Sequence, residues 1–282
     1  MNIKASTKIY GIFGHPVGHS LSPVMHNSAF KALHLDSVYV AFDIQPRDLE
    51  SAARAIKPLG IAGVNITIPH KESMTFFLDK ISPEATLTGA VNTVKNENGK
   101  LLGYNTDVGG FLRAIKEDLG LHPNGLKVAL LGAGGASRAV LSALCMNESS
   151  RIYVMNRTYD KAKRLVSEFK KSFKDFSIEA VSLEDKTGVE NALSISDLLV
   201  NATSAGMEGI DPIEIPLESL SKESMVYDLV YKPRETSLIQ RAKELGLKAS
   251  GGLSMLLYQG AESFEIWTGE IAPVEVMKKV IE

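Results

Sequence analysis

The stretch that most narrows the fold is VALLGAGGASRAV, residues 128–140. An apolar run leads into Gly132, Gly134 and Gly135, and a helical pattern starts directly after them. In a parallel α/β sheet this order lets a backbone bend sharply and approach a pyrophosphate, while the amides of the new helix face the phosphates. A purely structural turn would use the same glycines, but the strand–turn–helix context points to nucleotide binding. The third glycine of the dinucleotide pattern is replaced by Ser137, which is small.

Around this turn, strand-like apolar runs alternate with helical patterns. KIYGIFG reads as a strand, SPVMHNSAFKALHL as a helix with Pro23 at its first position, and SVYVAFDI as a strand. DLESAARAIKPLG reads as a helix ending near Pro58 and Gly60, and GVNITIPHK as a buried strand running into Pro69. The rhythm predicts an α/β protein with mainly parallel sheets and helices on their faces. NTVKNENGKLLGYNTD interrupts it, because Asn98-Gly99 is a two-residue hairpin signal. Counting outward from that turn pairs Glu97 with Lys100 and sets Asn92 opposite Asn105, with Asp107 two residues beyond. A local feature therefore brings Asn92 and Asp107 together. We read residues 1–109 as one domain and 110–252 as a Rossmann-type second domain. The helices of 253–282 are expected to return to the first.

Composition removes several classes of function. The 282 residues are 44% hydrophobic and 23% charged with a net charge of −2, so no electrostatic case exists for a nucleic-acid or anionic-membrane partner. The N-terminal stretch MNIKASTKIYGIFG lacks a signal-peptide core, and no apolar run approaches a membrane span. One cysteine, Cys145, excludes internal disulfides and fits a reducing, cytoplasmic setting. His15, His19, His26 and His70 lack the spacing and companions of a metal site, so no metal is expected.

The second strand of the nucleotide domain, RIYVMNRT, bears on cofactor choice. An NAD site places Asp or Glu at this strand end to hold the ribose hydroxyls. Here Asn156, Arg157 and Thr158 are followed by Lys161, donors suited to a 2′-phosphate, and this favours NADP. A solvated basic helix start is the plainer reading. Two later strands end in NATSAGM and DLVY, so Thr203, Ser204, Leu229 and Tyr231 are expected to line the cofactor cleft; ordinary turn chemistry would also account for each.

In the first domain, Ser20 and Ser22 precede a helix. Ser22 can cap that helix, or both hydroxyls and the helix end can receive a small carboxylate; the roles can coexist. A proline cannot donate to a central ladder, so Pro69 is expected to end its strand and deliver Lys71 to a cleft. A lone lysine is more often a surface group. Lys71 stands out by its company: Asn65 and Thr67 on the same strand, and the Asn92/Asp107 hairpin end. A lysine beside a carboxylate can hold and relay a proton when a hydroxyl is oxidised.

The segments SLSP, NITIPHK, GAVNT, GYNTD, GAGGASRA, NRT, NATSAGM, YDLVY and GLSMLLYQ occur in the order seen in shikimate dehydrogenases, and the chain resembles that family over nearly its whole length. The resemblance implies an N-terminal substrate domain, an NADP-binding Rossmann domain and a C-terminal helix crossing back. It implies reduction of 3-dehydroshikimate to shikimate with NADPH in aromatic amino-acid biosynthesis. Ser20 and Ser22 match the serines that hold the substrate carboxylate, and Asn65 and Thr67 the residues at the ring hydroxyls. Lys71 and Asp107 match the catalytic pair, with Asn92 beside them. Gln259 matches the glutamine that closes over the substrate, and Tyr231 the tyrosine reaching from the cofactor domain. Gly132, Ala133, Gly134, Gly135 and Ala136 match the diphosphate loop, Asn156, Arg157 and Thr158 the 2′-phosphate clamp, and Leu229 and Gly252 the nicotinamide neighbours. Ile66 replaces the family's usual valine, a conservative change, and His70 has no role by this resemblance.

Three rivals stand beside this reading: a shikimate/quinate dehydrogenase using NAD, a non-catalytic NADP-binding regulatory module, and another two-domain NADP enzyme such as a methylenetetrahydrofolate dehydrogenase. The basic NRT segment argues against the first, the presence of both Lys71 and Asp107 against the second. SLSP and Gln259 are unexplained by the third. The expected partner is a small molecule, with the chain a monomer or homodimer.

Overall fold

β-branched and leucine-rich runs become the buried strands of two six-stranded sheets, and the polar-faced segments between them become covering helices. The computed structural model describes residues 3–174 and 176–282; Met1 and Asn2, which begin the stretch read for a leader, lie outside the described residues. The chain divides into two compact units, residues through Gly110 together with Leu257–Glu282, and Phe111–Leu256.

The first unit contains β1 (Lys8–Gly14), α1 (Ser22–Ala32), β2 (Ser37–Asp43), α2 (Leu49–Ala55), β3 (Gly63–Ile66), β4 (Lys80–Ile81), α3 (Pro83–Thr88), β5 (Thr93–Glu97) and β6 (Lys100–Tyr104). Its sheet order is β2-β1-β3-β5-β6-β4. β1 lies parallel to β2 and β3, β5 runs antiparallel to β3 and β6, and β4 is parallel to β6. The hairpin has the expected register, with Glu97 opposite Lys100 and Thr93 opposite Tyr104. Asn98 and Gly99 have φ of 52° and 80°, the two positive values a primed turn requires. One face of the sheet is sealed by Ile56, Val64, Ile66, Met74, Val91 and Val94.

α4 (Thr106–Ala114) follows the hairpin, starting two residues earlier than its apolar pattern indicates, and continues as a π turn, Ile115–Leu119, closed by Gly120. The second unit then runs β7 (Lys127–Leu131), α5 (Gly135–Met146), β8 (Arg151–Asn156), α6 (Tyr159–Ser172), β9 (Ile178–Ser182), α7 (Lys186–Ser194), β10 (Leu198–Asn201), β11 (Met225–Asp228), α8 (Ser237–Glu244) and β12 (Lys248–Gly251). Every pairing in its sheet, β12-β11-β10-β7-β8-β9, is parallel. This is the doubly wound order, with the winding reversing between β7 and β10; ligands of such sheets sit beyond the strand ends at that point. α9 (Leu253–Thr268) and α10 (Val274–Ile281) close the chain.

Three local readings are corrected. β3 ends at Ile66, not at Pro69. On the β5 side, where Thr93 stands opposite Asn65, the last bond runs from the Ile66 N–H to the Asn92 carbonyl; on the β1 side single bonds continue from the Thr67 N–H to the Phe13 carbonyl and from the His15 N–H to the Ile68 carbonyl. Residues 67–70 turn instead, with the His70 N–H on the Thr67 carbonyl at 2.9 Å. The predicted 48–60 helix is confined to Leu49–Ala55 after a short 3-10 turn, Pro46–Asp48. β11 stops at Asp228, because its buried carboxylate takes hydrogen bonds from the Val230 N–H (3.0 Å), Asn201 Nδ2 (2.9 Å) and Thr236 Oγ1 (2.7 Å) and turns the chain there.

Candidate active site

Four segments of the first unit converge on one carboxylate. The turn after β3 carries Lys71, the approach to β5 carries Asn92, the first turn of α4 carries Asp107, and α9 carries Gln259. Lys71 Nζ lies 2.6 Å from Asp107 Oδ2, with both side chains largely buried. Asn92 Nδ2 donates to Asp107 Oδ1 at 2.9 Å and to Thr106 Oγ1 at 2.9 Å, and reaches Gln259 Oε1 at 3.4 Å. The Asn92 carbonyl oxygen Oδ1 accepts from the Thr106 N–H at 2.8 Å. The amide is thus locked at both ends, and its orientation is set by the hairpin.

α9 can approach this closely because of a glycine. A Cβ on Gly110 would stand 2.8 Å from Gln259 Cβ and 2.9 Å from its backbone nitrogen, inside van der Waals contact. Gly110 therefore holds the Gln259 turn of α9 down on α4.

Lys71 is steadied by its neighbour. His70 is buried, and its Nε2 donates to the Ile44 carbonyl at 2.6 Å while its backbone carbonyl accepts from the Met74 N–H. The residue that had no assigned role ties the Lys71 turn to the end of β2.

A second network extends from Asn65 on β3. Its Nδ2 faces the Asn92 carbonyl (3.1 Å), Thr93 Oγ1 (3.1 Å) and Ser263 Oγ (3.0 Å), and its Oδ1 accepts from the Tyr39 hydroxyl at 2.7 Å. Burial drives the Tyr39 phenol well above its ordinary range, with a hydrogen bond from Ser22 acting the other way. Ser22 is buried, and its N–H donates to Ser20 Oγ at 3.2 Å. Hydrogen bonds therefore run from the Ser20/Ser22 turn through Tyr39 and Asn65 to Asn92 and Asp107. The capping reading of Ser22 fails: Leu21 occupies the N-cap position of α1, and no side chain caps it. Thr67 is half-buried; its N–H is held by the Phe13 carbonyl at 2.9 Å and its methyl closes over Gly14.

Tyr39, Thr93, Thr106 and Ser263 were not singled out from sequence. Each had a signal. Thr93 and Thr106 follow Asn92 and Asn105 at the open end of the hairpin, and Ser263 lies one helical turn beyond Gln259 with its hydroxyl on the Gln259 carbonyl at 2.9 Å.

In the second unit, Gly132 has φ of +108°, and a Cβ there would stand 2.7 Å from Ser137 Oγ and 3.0 Å from the Thr203 methyl. Gly134 is in extended backbone, and a Cβ on Gly134 or Gly135 would meet nothing within 4 Å. The sharp bend thus belongs to Gly132 alone, while the other two leave open space before α5, whose N-cap Gly134 supplies no capping side chain. An uncapped helix start with room in front of it fits a diphosphate. Ala133 and Ala136 are half-buried in the same loop.

β8 ends at Asn156, whose Nδ2 donates to the Thr158 carbonyl at 2.8 Å. Arg157, Thr158 and Lys161 are exposed, and among the described residues Arg157 and Lys161 enter no ion pair, so both cations are available to a phosphate. Thr203 Oγ1 donates to Asn201 Oδ1 at 2.7 Å beside the glycine turn, and Ser204 is exposed. Leu229 and Gly252 meet through their backbones: a Cβ on Gly252 would lie 2.0 Å from the Leu229 carbonyl oxygen. Tyr231, just past β11, is half-buried, and burial raises its phenol.

Comparison with known proteins agrees with these features. Residues 12–94 match a family model described as the shikimate dehydrogenase substrate binding domain. Residues 115–235 match shikimate / quinate 5-dehydrogenase, and residues 252–282 the shikimate 5′-dehydrogenase C-terminal domain. A Methanopyrus kandleri protein named shikimate dehydrogenase (NADP(+)) is 45% identical over 283 residues, covering 100% of this chain and 97% of its own. A solved shikimate 5-dehydrogenase from Thermus thermophilus, in complex with NADP(H) and shikimate, superposes with a TM-score of 0.87 at 38% identity over 98% of both chains. Quinate dehydrogenase from Corynebacterium glutamicum in complex with NAD gives 0.89 at 31% identity, over 97% of this chain and 98% of its own. With relatives this similar over its full length, the chain belongs to the shikimate dehydrogenase family.

Proposed function

We propose that this chain catalyses the reversible, NADP-dependent interconversion of shikimate and 3-dehydroshikimate. The observation that carries the reading is the Lys71–Asp107–Asn92 constellation, with the 2.6 Å ion pair at its centre. Bound NADP(H) supplies or takes up the hydride. In the reducing direction the Lys71 ammonium gives a proton to the oxygen of the ring carbonyl as that oxygen becomes a hydroxyl, and Asp107 holds the ammonium in place. In the oxidising direction the Lys71 amine removes the hydroxyl proton while the carbon loses hydride. Asn92 fixes the second carboxylate oxygen, so Asp107 cannot rotate away from Lys71.

Substrate binding falls to residues 1–109 with 253–282. Ser20 and Ser22 receive the carboxylate, Asn65 and Thr67 the ring hydroxyls, and Gln259 closes over the ring; Tyr231 is assigned to the substrate as well. Residues 110–252 bind the cofactor. The loop Gly132–Ala136 takes the diphosphate, Asn156, Arg157, Thr158 and Lys161 the 2′-phosphate, and Thr203, Ser204, Leu229 and Gly252 line the rest. The neutral Asn156 in place of a carboxylate supports NADP over NAD. No helix among the described residues is long and apolar enough to cross a membrane. We place the enzyme in the cytoplasm, as a monomer or homodimer acting on a small molecule.

The test is absorbance at the nicotinamide band with shikimate or quinate, each with NADP or NAD. Rapid reduction of NADP by shikimate is the expected result. Faster turnover of quinate or NAD would instead assign the chain to the quinate-oxidising branch.

A further inference from the structure

One buried carboxylate has no part in the chemistry above. Asp228 ends β11, is fully buried, and lies across the sheet from Asn201 at the end of β10 and Gly251 at the end of β12. The residues that follow on β11 and β12, Leu229 and Gly252, are those assigned to the nicotinamide. Their backbones are tied to the same strand ends: the Leu229 N–H donates to the Asn201 carbonyl at 2.9 Å and the Gly252 N–H to the Val230 carbonyl at 3.1 Å.

The bonds to Asp228 mark it as an ionised acceptor. Asn201 Oδ1 accepts from the Thr203 N–H at 3.1 Å and the Thr203 hydroxyl at 2.7 Å, which fixes the amide so that its Nδ2 donates to Asp228. Thr236 Oγ1 accepts from the Ile239 N–H at 3.3 Å, so its own hydrogen goes to the carboxylate. The Val230 N–H is the third donor. Three donors and no acceptor leave no partner for a proton on Asp228. All three donors are neutral, so the charge is held but not cancelled. An asparagine could keep most of these bonds without the cost of burying a charge. The network continues through Asn201 and Thr203 to the bend at Gly132, where a Cβ would stand 3.0 Å from the Thr203 methyl. The charge is thus tied both to the loop assigned to the diphosphate and to the strand ends assigned to the nicotinamide.

We propose that Asp228 is a specificity-determining residue for the redox state of the cofactor: its fixed negative charge favours the oxidised nicotinamide, which is cationic, over the reduced one, which is neutral. The inference rests on the cofactor assignment of residues 110–252 made above. The two forms carry the same phosphates and differ by one hydride, so loss of hydride leaves one positive charge on the ring. A carboxylate whose donors are already in place opposes that charge without reorganising. In the reducing direction Asp228 eases the departure of hydride. In the oxidising direction it helps to hold the form that must accept it.

The experiment measures, by calorimetry without substrate, the dissociation constants of oxidised and reduced NADP for wild type, Asp228→Asn and Thr236→Val. In Asp228→Asn the preference for the oxidised over the reduced form should fall about 3- to 20-fold, the scale of one charge acting through a protein interior. Thr236→Val removes a bond but keeps the charge, so its ratio should match wild type even where both affinities fall. An Asp228→Asn ratio within about twofold of wild type, less than one buried charge would produce, overturns the proposal. An equal shift in Thr236→Val also overturns it, since the effect would then belong to loop structure. A second arm needs no variant: carbon-13 NMR follows the titration of the Asp228 carboxyl in wild type with each form bound. Its hydrogen-bond partners, Asn201, Thr236 and the Val230 N–H, do not themselves titrate. Charge coupling is reciprocal, so the midpoint should be lower with the oxidised form than with the reduced one. Equal midpoints overturn the proposal even if Asp228→Asn fails to fold. Wild type that binds neither form would refute the cofactor assignment and the proposal with it. Binding of both with an unmoved ratio refutes the role of Asp228 alone.

Discussion

Asn92 donates to one oxygen of Asp107 at 2.9 Å while Lys71 holds the other at 2.6 Å. The carboxylate is therefore fixed between an amide and an ammonium. Asn92→Ala removes one hydrogen bond to a charged group, worth about 1.5–3 kcal/mol. Shikimate oxidation should fall about 10- to 100-fold in kcat/KM, with NADP affinity unchanged. Steady-state kinetics beside NADP titration checks both halves.

Tyr39→Phe breaks the link between Ser22 and Asn65. The Asn65 carbonyl oxygen loses its donor in a buried site, at a cost of about 1–3 kcal/mol. Urea denaturation should show that loss. The KM for shikimate should rise too, since Ser22 and Asn65 lose their common anchor.

Arg157→Gln removes the guanidinium assigned to the 2′-phosphate. A charge-assisted hydrogen bond contributes about 1.5–3 kcal/mol, so the KM for NADP should rise about 10- to 100-fold. The KM for NAD, which lacks that phosphate, should change less than about threefold. Equal losses for both cofactors would dissociate Arg157 from the phosphate.

His26 carries a prediction for acid stability. It is fully buried, stacks on Tyr39 with ring centroids 4.5 Å apart, and neither ring nitrogen has a hydrogen-bond partner. Burial lowers it from 6.5 to about 3. The unfolded chain thus binds a proton that the folded chain refuses. Stability from this group is fully present above the unfolded value and falls as pH drops from 6.5 toward 3, by up to about 1.4 kcal/mol per pH unit. A His26→Phe variant should lose less stability between pH 7 and pH 5 than wild type does, measured by urea denaturation at each pH.

Legibility in the sequence tracked how local the determining physics is. Asn98-Gly99 prescribes a turn by itself, so the register that brings Asn92 to Asp107 could be counted out from it. The order strand–Gly132–helix likewise carries its own context, and the doubly wound sheet followed. The end of β3 was misplaced because Pro69 looked decisive, whereas the ladder to β5 closes at Ile66 and only isolated bonds to the β1 side continue before the turn at His70. Ser22 was read either as a cap, from its neighbour Pro23, or as a carboxylate ligand; the cap fails because α1 starts one residue earlier and the hydroxyl turns to Tyr39. The bond from Asn65 to Ser263 became visible only once α9, some 200 residues away in the chain, was laid against β3, and the bond from Tyr39 to Asn65 only once β2 and β3 were set on either side of β1. No pattern within a window of neighbours encodes such pairings.

The central claim is that Lys71 exchanges the substrate proton. The most direct measurement is the rate of NADP reduction by shikimate in Lys71→Ala against wild type, with NADP binding measured on both. General acid–base catalysis contributes about 10²- to 10⁴-fold, so a loss in that range with NADP affinity intact is predicted. A variant that binds NADP and turns over within about threefold of wild type would contradict the account.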